Sequence, residues 1–276
     1  MGIKMLKRGF QPKPFGRRRK SDGKRLAIHE ISEEAAKFLA EVQWKEGPMA
    51  EENWKFMDSL PVFENIQHLF DTGLPTMVEF KEAIKMLKNS KATGPDGIPA
   101  EIFKALDEAN LKEVLQLIHT WWKDEYIPDE ILKASIALIY KDGDTEDCAN
   151  YRPIALLNVI NKIVARIVVV RLQNVLESRL KANQFGFRPG KSAADAISTI
   201  RRILDQSRCT HDTNVMLLLD WEKAFDKITH GALFKALRRL GVPDKIMGMI
   251  QALYRRPAFT VTIDQYQSSE LLQETG

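Results

Sequence analysis

The stretch LLLDWEKAFD at residues 217–226 sets one carboxylate, Asp220, at the end of an apolar run that begins at Met216, and places an aromatic, Phe225, five positions later. A continuous apolar run suits a strand buried on both faces, whose end is a rigid mount. A carboxylate held there is a hard oxygen ligand for Mg²⁺, which takes one or two protein carboxylates and leaves its other positions to water and substrate phosphates. That chemistry is nucleotidyl transfer. The plain alternative is an Asp that caps a helix or closes a loop. Two cations, Lys141 and Arg152, stand near the ends of two other apolar runs, where a point charge and a planar fork suit a triphosphate. Their plain alternative is ordinary surface charge, or pairing with Asp142, Asp144, Glu146 and Asp147. Arg188 and Lys191 lie in a loop where Gly186 and Gly190 let a backbone approach nucleic acid closely, although a solvated loop charge fits both as well.

These residues need elements to hold them. Ser135–Tyr140 and Ile154–Leu157 are apolar runs, and the spacing predicts an antiparallel pair over 135–141 and 152–157 joined by the acidic loop 142–151. Asp142, Asp144 and Glu146 alternate like the start of a calcium loop, but the Gly and Glu that such a loop needs further on are missing. A helix is predicted from Thr76, where Thr76 and Glu79 form a capping box, up to the Gly94-Pro95 breaker. Further helices are predicted near 99–106, 110–123, 129–134, 158–180, 192–206, 230–240 and 243–255, a strand at 258–264, and helical patterning over 31–57 on an Ala35, Phe38, Leu39, Val42 face. Trp121 extends the Val114, Leu117, Ile118 face, so the Trp121-Trp122 pair reads as packing.

The 276 residues carry 44% hydrophobic side chains, enough for a core. The net charge of +4 is uneven. Residues 1–25 hold ten Lys/Arg against one acid, residues 26–130 hold ten against 21 Asp/Glu, and residues 131–210 reverse the balance with 13 against seven. A basic block inside an acidic body is where a polyphosphate chain is expected to lie. The Arg17–Lys20 run suits nucleic-acid contact or nuclear import. Cys148 and Cys209 have no metal-type spacing, and no segment is apolar enough to span a bilayer, so an intracellular protein without a membrane is expected, with the nucleus open to it as a compartment.

Five motifs in order carry a resemblance: GPDGIP at 94–99, ALIYKDGD at 137–144, NYRPIALLNVINK at 150–162, QFGFRPGKSAADAI at 184–197 and LDWEKAFDKITH at 219–230. Over about residues 75–276 the chain resembles the reverse transcriptase domain of non-LTR retrotransposons. The resemblance implies a mixed, helix-rich α+β fold, the fingers and partial palm of a right-hand polymerase. It divides the chain into a disordered basic tail (1–30), a helical extension (31–74), fingers (75–212) and partial palm (213–276). It implies addition of dNTPs to a DNA primer on an RNA template by two Mg²⁺ ions. Asp220 would be the catalytic, metal-binding carboxylate and Phe225 the side chain that crowds the sugar 2′ carbon. Lys141 and Arg152 would touch the triphosphate, and Arg188 and Lys191 the template. Asp226 is left as structural. No Asp-Asp pair occurs anywhere, so the family's second metal-binding carboxylates are lacking and this chain alone is expected not to polymerise. The alternatives are a non-catalytic finger module for RNA or RNA:DNA hybrid, or a degenerate retroelement remnant. The Asp220 strand is expected to form an exposed sheet edge. Template identity and oligomeric state are left open.

Overall fold

The computed structural model describes residues 26–47, 55–59, 62–63, 66–221 and 223–276. Most of the basic tail, with the Arg17–Lys20 run, lies outside the described residues. The first helix among the described residues, α1 (Ile28–Phe38), begins inside the stretch assigned to that tail and widens into a π turn over Leu39–Gln43.

A helical layer follows: α2 (Met77–Lys85), α3 (Ala100–Ala105), α4 (Glu108–Asp124) and α5 (Asp129–Leu132). The capping box forms, since Thr76 Oγ1 accepts from the Glu79 N–H and Glu79 Oε2 accepts from the Thr76 N–H. Two strands, β1 (Ala134–Tyr140) and β2 (Tyr151–Leu157), then lead into the long helix α6 (Val159–Leu176). Beyond them come α7 (Ala193–Thr210), α8 (His230–Arg239), α9 (Asp244–Tyr254) and the strands β3 (Ala258–Ile263), β4 (Tyr266–Gln267) and β5 (Leu271–Leu272). This is the mixed, helix-rich α+β chain that the sequence implies.

The sheet order is β2-β1-β3-β4, with β5 also on β3. β1 and β2 are antiparallel from Ala134↔Leu157 to Tyr140↔Tyr151, while β1 and β3 run parallel only over Ala134↔Phe259 to Ile136↔Val261. The outer half of the β1–β2 pair therefore extends past β3 as a two-stranded ribbon, and Ile139 and Ile154 on it are exposed.

Two cores hold the chain. The larger gathers Phe80, Ile118, Trp121, Trp122, Ile163, Ile167, Ile246 and Met249 from α2, α4, α6 and α9. The smaller seats Ala35, Ala36, Leu39 and Trp44 of the N-terminal segment on Ala134, Ile136, Phe259 and Val261 of the sheet. Val42, placed on the same predicted face, is 64% exposed, because the π turn rotates it away. Arg171 of α6 is the buried cation of the larger core. It grips both oxygens of Glu79 at 2.7 and 2.9 Å, donates to the carbonyls of Asp71 and Gly73, and lies 4.8 Å from the Trp122 ring centroid. A bidentate pair of this kind fixes direction as well as distance, so one side chain ties three helices to the loop that starts α2. Burial pushes the Glu79 carboxyl up, but its bonds from Arg171 and Thr76 outweigh this and hold it below its ordinary value.

The structure corrects one expectation outright. Residues 213–221 form no strand. Val215, Leu217, Leu218 and Leu219 are 94, 78, 80 and 78% exposed. An apolar strand of this type is held by pairing on its edges and cover on its faces, and none of the described residues supplies either. The same holds for α7, which has no buried residue and leaves Ile197, Ile200 and Leu204 exposed on one face.

Candidate active site and nucleic-acid interface

Lys141 follows directly on β1, and its N–H donates to the Asn150 carbonyl at 2.8 Å, continuing the ladder. Arg152 faces Ile139 across it. Side chains two apart on a strand, and those directly opposite, share a face; Lys141, Ile139 and Arg152 therefore stand on one side of the ribbon tip. Both cations are exposed, and neither is paired with a carboxylate among the described residues. Two carboxylates of the acidic loop hold its own backbone. Asp144 accepts from the Glu146 N–H and Asp147 from the Ala149 N–H, both at 2.9 Å, while Tyr140 and Tyr151 bond loop carbonyls through their hydroxyls.

GPDGIP is riveted to the NYRPIALLNVINK motif at Asn158. The turn closes through Gly97 N–H to the Gly94 carbonyl, with Gly97 at a φ of +69°. A Cβ on Gly94 would fall 2.4 Å from the Asn158 backbone nitrogen. Asn158, 1% exposed at the β2–α6 junction, accepts from the Asp96 N–H and donates to the carbonyls of Glu130 and Ile131. The position of β2, and hence of Arg152, depends on this close contact.

Asp220 is exposed and lies in the unpaired segment, while the residues just after it are anchored. Asp226 accepts from the indole N–H of buried Trp44 at 3.0 Å, and its carbonyl accepts from the Thr275 hydroxyl at 2.7 Å. Trp44 meets Phe259 edge to face at 4.9 Å. The sequence leaves Asp226 as structural, and its bonds fit that; its partner 182 residues away carries no local signal.

Phe225 is 68% exposed and packs edge to face on Phe187 at 5.5 Å. Phe187, 89% exposed, has a φ of +59°, a left-handed conformation that costs a bulky residue about 1–2 kcal/mol. Arg188 next to it is turned inwards. Its side chain is 8% exposed, pairs with Glu177 at 2.7 Å and donates to the carbonyls of Lys181 and Gln184. Its donors hold the loop rather than face outwards. Lys191 is exposed, with its ammonium 5.9 Å from the Phe185 ring centroid. The structure thus brings Phe225 to the 184–191 loop and groups Lys141 with Arg152. Phe187 and Trp44 are the site-forming residues that sequence reasoning passed over. A bulky residue between Gly186 and an arginine was the one available hint for Phe187.

The sequence profile of the reverse transcriptase (RNA-dependent DNA polymerase) family matches residues 139–276, the half of the chain that holds the ribbon tip, the loop and Asp220. The chain belongs to this family. It is 29% identical to a transposon TX1 uncharacterized 149 kDa protein of Xenopus laevis, over 78% of this chain and 16% of that protein. It is 28% identical to the RNA-directed DNA polymerase from mobile element jockey of Drosophila melanogaster, over 75% of this chain and 23% of that protein. A Pol polyprotein from a type-1 retrotransposable element R1 of Bradysia coprophila is 30% identical over 55% of this chain and 15% of its own length. The chain thus spans less than a quarter of each of these relatives. Several of its homologues bear the names of RNA-directed DNA polymerases or Pol polyproteins of mobile elements. Reverse transcriptases in general use an RNA template, nucleotide substrates and a divalent metal. Among the described residues no group of three or more His, Cys, Asp or Glu side chains is placed to hold a metal ion. Asp220 by itself does not fit a two-ion centre. No helix among the described residues is long and apolar enough to cross a membrane.

Proposed function

We propose that this chain is the fingers (75–212) and first palm segment (213–276) of a retrotransposon polymerase that adds dNTPs to a DNA primer on an RNA template. The observation that carries this reading is the ribbon tip, where unpaired Lys141 and Arg152 share one face. A triphosphate is the ligand that matches a point charge beside a planar fork. Asp220 supplies one Mg²⁺ ligand and Phe225 the wall against the sugar. Lys191 faces the template backbone, and Arg188 serves the template by fixing its loop. With Asp220 the one carboxylate assigned to the metal among the described residues, the chain alone binds its substrates without extending a primer.

The test is labelling by a photoreactive dNTP, with and without an oligo-primed RNA template. Labelling is expected in the wild type and lost in the Lys141→Ala, Arg152→Ala double variant. Equal labelling of both proteins would overturn the triphosphate assignment. Mg²⁺-dependent extension that disappears in Asp220→Ala would overturn the claim of inactivity.

A further inference from the structure

We propose that Phe187 is a stacking platform for an unpaired base of the RNA strand, on a loop that Arg188 locks for that purpose. The inference rests on the nucleic-acid reading above and adds a binding residue to it. Phe187 sits in the left-handed region with its ring 89% exposed, so no core burial offsets the strain. Strain of this kind persists only where the surroundings impose it, and it gathers at functional sites. Here the imposing group is the next residue. Arg188 Nε and Nη2 bind Glu177, and Nη1 binds the carbonyls of Lys181 and Gln184, which fixes the backbone on both sides of residue 187. A glycine would take the same φ without cost, yet the chain keeps a phenyl ring there.

The surroundings select the ligand. Between Glu177 and Asp195 the chain carries Arg179, Lys181 and Lys191, besides the Arg188 paired with Glu177, and no acidic residue. Among the described residues the ring in contact with Phe187 is Phe225, edge to face at an interplanar angle of 81°, an arrangement that leaves aromatic face open. Exposed aromatics interleaved with cations bind single-stranded nucleic acid, because every base has a face to stack and every phosphate a charge to neutralise. A base in a duplex is already stacked and offers neither face.

The experiment uses the chain as it stands, a single-stranded RNA carrying 2-aminopurine, and a fully duplex RNA of the same sequence. Phe187→Gly is expected to keep or raise the thermal midpoint, to weaken single-stranded RNA binding roughly tenfold or more, and to abolish quenching of the 2-aminopurine. Phe187→Tyr is expected to restore binding and quenching, and duplex binding is expected to be unchanged in both variants. Unaltered single-strand affinity in Phe187→Gly would overturn the proposal while leaving the nucleic-acid reading intact. An equal loss on duplex RNA, or a lowered thermal midpoint, would make Phe187 a structural residue and also overturn it. A wild-type chain that binds neither RNA would remove the reading itself.

Discussion

The β1–β2 ribbon and the 213–221 segment are both apolar runs that end in a candidate site residue, yet one is a strand and the other is not. The ribbon finds its partner eleven residues away, from Tyr140 to Tyr151, and seven register pairs follow from one turn. Leu217, Leu218 and Leu219 have no such neighbour in sequence, and the described chain leaves them in solvent. Apolar composition thus states that a segment will be buried without saying by what. Lys141 and Arg152 rest on structure the chain closes locally, whereas Asp220 rests on a segment that finds no pairing among the described residues.

That contrast can be broken at three levels. The largest effect is expected on the self-supported side, at Arg171. Truncation to Ala leaves Glu79 and two carbonyls without their buried donor, a class of change that costs roughly 3–5 kcal/mol. Urea denaturation should show most of the stability gone, and a loss under 1 kcal/mol would mean that the helical layer does not depend on this tie.

A second, smaller effect concerns acid. The Glu79 carboxyl is held below its ordinary 4.5 in the folded chain, so its contribution is fully present above 4.5 and lost as pH falls through the lower folded value. Thermal midpoints of the wild type and Glu79→Gln should differ near neutrality and converge in acid; a constant gap would exclude this ionisation as the cause.

The smallest effect is expected at Leu217. Changing it to Ser should alter the unfolding free energy from urea denaturation by no more than about 0.5 kcal/mol, because its side chain is 78% exposed. A large loss would show that the segment is packed in solution and that the contrast fails.

Legibility from sequence follows the same division. The Thr76–Glu79 cap, the antiparallel hairpin, the packing role of Trp121 and the start of α7 at its Ser192 cap all rest on neighbours within a few residues, and each was readable. Arg171 was not, since an arginine on a helix gives no sign of burial until the loop 100 residues earlier supplies its acceptors. Gly94-Pro95 read as a helix breaker; that Gly94 must also admit the Asn158 backbone depends on two segments meeting. The motifs marked the site's members, while their grouping, with Phe187 on Phe225 and Trp44 on Asp226, required the fold.

The bond between Trp44 and Asp226 also orders events in time. At roughly 5–20 residues per second, translation leaves the indole waiting on the order of ten seconds or more for its acceptor, which is made 182 residues later. Phe259 and Val261, which cover Ala35, Ala36 and Leu39, emerge later still. Throughout that interval the nascent N-terminal helix presents an uncovered apolar stripe at the ribosome, where a chaperone can hold it until the other end of the sheet arrives.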